Sequence, residues 1–322
     1  MKKAVIFGNL AVIAGIFIFL WSGSFFGAGE TVRFVVPLGT TDKNTVAYAA
    51  GLLRDKDVIK SAWAFRIAGV FYGLRGELQP GAYVFIKGWN NFIVANALKS
   101  PEEVWVVIPE GVRKEEIADI ASKKLNWNEA EKQQFIDYDS SKSDYFEGTY
   151  FPDTYLIPGK DTPTDVADRL KIRFNEELAK YSYELNKQNI KWTTVLKIAS
   201  LVQREAAGKG DMPLIAGIIW NRLLQNMKLD IDATLQYARG DKGNGWWAPL
   251  KIEDKNIDSP YNTYLNSGLP PHPIDNPGAD AMRAVLNPQK TGCLYYLHDN
   301  NGATRCSATY EGHLANIQKY LK

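Results

Sequence analysis

The feature that most constrains this chain is an uncharged run, Ala4–Leu20, preceded by Lys2 and Lys3 and closed by Trp21. With Trp21 it reaches 18 residues, close to the ~20 needed to cross a hydrocarbon core of ~30 Å. Signal-peptide cores are shorter, about 7–15 residues, so the run is read as a retained membrane anchor. The two lysines predict a cytoplasmic N-terminus and export of everything after about residue 25. The alternative is a cleaved signal peptide with Gly27-Ala28-Gly29 as its small-residue site.

The 322 residues as a whole are balanced, with 38 Lys+Arg against 36 Asp+Glu and 45% hydrophobic residues. Such a chain has enough apolar surface to fold. It lacks the positive excess that displaces phosphate counterions, so a nucleic-acid partner is not expected. Three histidines and two cysteines are scattered along it, with no HExxH, paired CxxC, phosphate loop or GxSxG elbow. Neither metal nor cofactor is expected. Its chemistry falls to carboxylates, hydroxyls and amides.

Export would also change the reading of Cys293 and Cys306, because a disulfide persists outside the cytoplasm. Leu294–His298 and Ala303–Ala308 read as short strands around an Asp299-Asn300-Asn301-Gly302 turn, placing the cysteines near the ends of a hairpin. A disulfide and two free packed thiols are both compatible with this.

After the anchor, three segments share a strand, Gly turn, helix pattern. They are Val32–Pro37 with Thr45–Leu53, Tyr83–Lys87 with Asn91–Leu98, and Val104–Pro109 with Glu115–Leu125. Ser100-Pro101 is read as the joint before the third. Trp127–Ser143 is polar and helical in character. The aromatic segment Glu147–Tyr155 must lie on another part of the protein or line a cleft, because alone it would expose too much apolar area. A helical run, Thr164–Asn186, follows.

The next helix carries the most informative irregularity. Thr193-Thr194 reads as its cap and Gly208 as its end, and its apolar stripe runs through Val195, Ile198 and Val202 to Glu205. A carboxylate on that stripe faces either the rim of the core or a cleft, and burial raises its proton affinity, as a proton donor near neutrality requires. The bland reading pairs Glu205 with Lys209 one turn on. Beyond it, Asp211 reads as the cap of a second helix and Asp232 as the cap of a short one bearing Thr234, Gln236 and Tyr237. The loop Ser259–Ile274, stiffened by Pro270, Pro271 and Pro273, offers Tyr261, Asn262, Thr263 and Tyr264. Stacking faces beside neutral hydrogen-bonding groups suit a sugar, although for any one of these residues a structural loop amide or buried tyrosine is the commoner use. With Trp246 or Trp247 this loop is expected to form one wall of a glycan cleft, contacted by Thr234, Gln236, Tyr237, Tyr261, Asn262, Thr263, Tyr264 and Pro270.

Several stretches, in order, carry a family pattern: Ala199–Ala207, Ile219–Leu223, Asp232–Tyr237, Ser259–Tyr264, Gly268–Pro271, Asn276–Ala279 and the aromatic Glu147–Tyr155. Together they resemble the YceG-like family of membrane-anchored endolytic murein transglycosylases, over nearly the whole chain. The resemblance implies that Glu205 is the catalytic glutamate. The first acidic position of the family motif is Gln203 here, so a second carboxylate is missing from that position. It also implies peptidoglycan glycan strands as substrate, peptidoglycan synthases as partners, and a catalytic domain held outside the cytoplasmic membrane.

The expected fold class is α+β: a single N-terminal transmembrane helix, small α/β LysM-like modules, then a mainly helical catalytic domain with long loops and a small C-terminal hairpin. The boundaries read as 1–29 for the anchor, 30–103 for the LysM-like modules, 104–163 for a third α/β module with the aromatic connection, and 164–322 for the catalytic domain. Three activities remain distinct. A lytic transglycosylase needs one carboxyl, because the nucleophile belongs to the substrate. A hydrolase of the same bond needs a partner carboxylate, for which Asp230 and Asp232 are candidates. A tethered wall-binding protein needs none.

Overall fold

The computed structural model describes Gly15 and residues 29–39, 45–74, 76–138 and 147–321. Apart from Gly15, the expected anchor Ala4–Trp21 lies outside them, as does the end of the polar stretch Trp127–Ser143. Among the described residues no helix is long and apolar enough to cross a membrane. The chain divides into two compact units, Met1–Val106 with Thr154–Asp161, and Val107–Asp153 with Thr162–Lys322.

The first unit is built from β1 (Thr31–Val36), α1 (Val46–Asp55), α2 (Ala62–Phe71), β2 (Gly81–Ile86), α3 (Asn91–Ala97), β3 (Glu103–Val107) and β4 (Thr154–Pro158). The strands form one sheet in the order β1-β2-β3-β4. β1 and β2 are antiparallel, with Thr31 opposite Ile86 and Val36 opposite Gly81. Alternation along β1 sends Val32, Phe34 and Val36 into a core with Leu53, Phe65 and Phe85. The first two strand–helix segments are therefore not independent modules: they share a sheet and a core. α2, which lies between them, went unrecognised because AWAFRIAGVF is apolar almost all round and shows no clean stripe. Its start is nonetheless conventional, with the Ser61 hydroxyl accepting from Ala64 N.

The third strand–helix segment is divided: most of β3 belongs to the first unit and its helix, α4 (Lys114–Leu125), to the second. The second unit continues with α5 (Glu129–Asp137), α6 (Pro163–Ala179), α7 (Ser182–Gln188), α8 (Trp192–Glu205), α9 (Met212–Leu224), α10 (Asp232–Arg239) and α11 (Ala279–Leu286). A hairpin, β5 (Tyr295–His298) with β6 (Thr304–Ser307), and α12 (Tyr310–Tyr320) close it. The expected helix 164–186 breaks at Lys180-Tyr181 into α6 and α7. α8 is packed by α9 and α11, and Val195, Ile198, Leu201 and Val202 join Ile215, Ile219, Met282 and Val285 in the core. Gly217 sits where a Cβ would strike the Gln289 carbonyl, so the chain after α11 can close against α9 only at a glycine.

Most of the aromatic segment, residues 147–153, belongs to the second unit, while Thr154 and Tyr155 open β4 of the first. Tyr150 and Phe151 are buried, and Tyr150 N donates to Asn276 Oδ1 at 2.8 Å. Gly148, at φ +86°, allows the turn, and a Cβ there would come within 2.8 Å of Pro273. Cys293 and Cys306 are joined in a disulfide beside the hairpin, with Cα atoms 5.8 Å apart.

Candidate active site

Glu205 is the last residue of α8, and at Ala206 the backbone turns extended, so the helix ends short of Gly208. Lys191, not Thr193 or Thr194, occupies the capping position at the other end. Glu205 therefore projects from the C-terminal end of a helix whose stripe is fully packed behind it, the end least favourable to an anion. Protein surrounds the carboxyl on most sides while one edge meets solvent. Burial pushes its proton affinity above the ordinary glutamate value; the nearby Asp232 charge adds to this, and the hydrogen bond from Tyr296 opposes it. Lys209, the partner in the bland reading, instead reaches Asp280 at 2.6 Å.

The Tyr296 hydroxyl donates to Glu205 Oε2 at 2.5 Å. Among the described residues Oε1 has no hydrogen-bond partner. Glu205 lines a cavity of about 520 Å³ together with Asp230, Asp232, Lys255, Tyr264, Tyr295 and His313. Asp232 does not cap α10, which begins with it; its Oδ1 accepts from Tyr264 OH at 2.6 Å. Asp230 faces Arg222 at 3.6 Å. Arg222 itself is buried and donates to the carbonyls of Leu294 and Leu229, each at 2.6 Å, which ties α9 to the hairpin and to the chain before α10.

Of the residues expected to contact sugar, Tyr264 alone shares this cavity with Glu205. Asn262 is fully buried: its amide donates to Lys255 O and Ile257 O, and its oxygen accepts from Tyr264 N at 2.9 Å. Thr234 and Thr263 are buried with their hydroxyls 3.0 Å apart, and Ile231 N donates to Thr263. Gln236 holds the carbonyls of Trp247 and Ala248. Tyr237 and Tyr261 pack on each other with centroids 4.7 Å apart, and Pro270 is buried. These groups build the loop that carries Tyr264 and Lys255. The tryptophans are likewise engaged elsewhere, Trp246 with Arg113 and Trp247 with Arg204. Neither tryptophan lines the cavity beside Glu205.

Sequence reasoning missed Tyr295, Tyr296, His313, Arg222 and Lys255 as site residues. The hairpin was legible, but which of its faces meets α8 is a tertiary fact with no local signal.

Away from the cavity the second unit also buries the carboxyls of Glu147 and Asp275. Glu147 accepts from Lys114 N at 3.2 Å and Asn276 Nδ2 at 3.0 Å, and burial raises it to about 8. Asp275 is fully buried without a hydrogen-bond partner on either oxygen, and burial holds it well above the carboxylate range. Gln203 shows what the departure at that position does: its Oε1 accepts from Gly278 N at 3.0 Å while its Nε2 donates to Glu110. A carboxylate could accept there but not donate.

The YceG-like family profile matches residues 39–319. The chain is 32% identical over 317 residues to the endolytic murein transglycosylase of Bacillus subtilis strain 168, covering 90% of this chain and 85% of that protein. It is 34% identical over 185 residues to the protein of the same name in Streptococcus pneumoniae strain D39, a match covering 57% of this chain and 34% of that protein. A crystal structure of a yceG-like protein from Listeria monocytogenes superposes with a TM-score of 0.63 at 28% identity, over 89% of this chain and 98% of that one. By the extent of these matches, the chain belongs to the YceG-like family.

Proposed function

We propose that this protein is a membrane-anchored endolytic peptidoglycan transglycosylase with Glu205 as its single acid–base group. The observation that carries this reading is a carboxyl of raised proton affinity at the edge of a cavity, with one oxygen held by Tyr296 and the other without a partner. The protonated Glu205 donates to the glycosidic oxygen between N-acetylmuramic acid and N-acetylglucosamine as the C1–O bond breaks. The resulting carboxylate takes the proton of the muramyl C6 hydroxyl as that oxygen attacks C1. A 1,6-anhydro ring forms, water is not consumed, and Glu205 ends protonated as it began. The names of the relatives support this chemistry and substrate.

The Lys-Lys start and the run Ala4–Trp21 support a single-pass anchor with the enzyme outside the cytoplasmic membrane. In that position it would meet peptidoglycan synthases. The small βααβ arrangement of β1, α1, α2 and β2 supports a LysM-like glycan-binding role for the first unit. Hydrolysis is the second reading, favoured by Asp230 and Asp232 lining the same cavity. The test is digestion of purified sacculi by the full chain in detergent, with mass spectrometry of the products. Internal fragments ending in 1,6-anhydro rings are expected; reducing ends would indicate hydrolysis, and intact strands a binding protein.

A further inference from the structure

Asp211 occupies the position before α9 where a carboxylate ordinarily caps its own helix, yet it makes no such bond. Its side chain turns the other way and gathers four donors. Oδ1 accepts from Gly208 N at 3.0 Å. Oδ2 accepts from Ala207 N at 3.1 Å, from Thr304 Oγ1 at 2.8 Å and from His298 Nε2 at 2.9 Å. Two of these donors lie in the segment that leaves Glu205. The other two face each other across the hairpin, where His298 on β5 pairs with Thr304 on β6.

Tyr296 lies two residues before His298, so the two side chains leave the same face of the strand; their rings meet edge-on at 6.1 Å. On its other side Tyr296 is paired in register with Cys306, which the disulfide ties to Cys293. The tyrosine's strand is thus held by a covalent link and by the Asp211 bonds, and the latter join the hairpin to the segment that leaves α8. We infer that Asp211 is a positioning residue that fixes the hairpin to the end of α8 and so holds the Tyr296 hydroxyl on Glu205. This rests on the acid–base role proposed for Glu205. Asparagine is nearly isosteric but cannot satisfy four donors, since its NH₂ group must oppose at least one of them.

The test is a double-mutant cycle in the full chain, scored by release of anhydro-ended muropeptides. Asp211→Asn, Asp211→Ala and Tyr296→Phe are each expected to lower kcat, about tenfold for the alanine variant, with little change in KM. Asp211→Ala combined with Tyr296→Phe should be no slower than Tyr296→Phe alone. Both single variants should also move the Glu205-controlled limb of the pH–rate profile upward, a change that general loosening of the fold would not produce. Independent, multiplying effects, or an unmoved limb, overturn the inference. If Asp211→Ala does not fold, His298→Phe and Thr304→Val, each removing one donor, enter the same cycle. Glu205→Gln is run beside them: if it stays active, the acid–base reading falls, whereas an inactive Glu205→Gln with uncoupled Asp211 and Tyr296 overturns the positioning role alone.

Discussion

Tyr296 and Glu205, 91 residues apart in sequence, are joined by a 2.5 Å hydrogen bond from the phenol to the carboxyl. Burial raises the Tyr296 hydroxyl well above its ordinary range, so it remains a donor throughout the working pH range. The bond favours the charged form of Glu205 and opposes the effect of burial. Removing it with Tyr296→Phe should raise the proton affinity of Glu205 further. The basic limb of the pH–rate profile, where the acid form is lost, should move to higher pH, and kcat should fall about tenfold, the scale of one hydrogen bond to a charged group. A pH–rate profile of the variant checks both.

Asn262→Ala should act on stability first. The side chain bonds two carbonyls and an amide in a fully buried position, and leaving such groups unpartnered costs about 1–3 kcal/mol. Urea unfolding should show that loss. Turnover should fall only as far as the displaced Tyr264 and Lys255 disturb the cavity. A large loss of activity at unchanged stability would instead mean direct contact with the glycan.

Glu147 makes the stability of the second unit pH-dependent. Its folded value is raised from 4.5 to about 8 by burial. Between those values the folded state holds a proton that the unfolded state has released, so stability falls as pH rises, by at most ~1.4 kcal/mol per pH unit, and levels off above about 8. Glu147→Gln keeps an acceptor for Lys114 N and Asn276 Nδ2 and removes the titration. Thermal unfolding from pH 5 to 9 should show the variant with a flatter profile and a higher midpoint than the parent at alkaline pH.

The parts of the site legible in the sequence are those governed by local periodicity. Glu205 stood out because Val195, Ile198 and Val202 call for an apolar residue at its place, and the β5–β6 hairpin was marked by its Asp-Asn-Asn-Gly turn. The loop residues are less legible, because an amide or hydroxyl looks the same in sequence whether it meets a sugar or, like Asn262 and Thr263, organises a buried turn. Asp211 and Asp232 were read as helix caps because capping is the commonest local use of an aspartate before a helix. Asp211 does stand at the capping position, but its side chain bonds Ala207 and Gly208 behind it and His298 and Thr304 from a distant segment, and Asp232 bonds the distant Tyr264. A strand–turn–helix pattern likewise gives no indication of which sheet the strand joins, and β1 and β2 join the same one.

On the proposed mechanism Glu205 alone moves the proton in a cleavage that consumes no water. This is tested most directly by digesting purified glycan strands in ¹⁸O-water and weighing the newly formed sugar ends, for the parent and for Glu205→Gln. The parent should give unlabelled 1,6-anhydro ends. Glu205→Gln, close in size but unable to exchange the proton, should give them ~10²–10⁴-fold more slowly, while remaining folded, since it removes a carboxyl whose charged form the fold disfavours. Incorporation of ¹⁸O into the new ends would contradict the account and point to water activated by Asp230 or Asp232; a fully active Glu205→Gln would remove Glu205 from the chemistry.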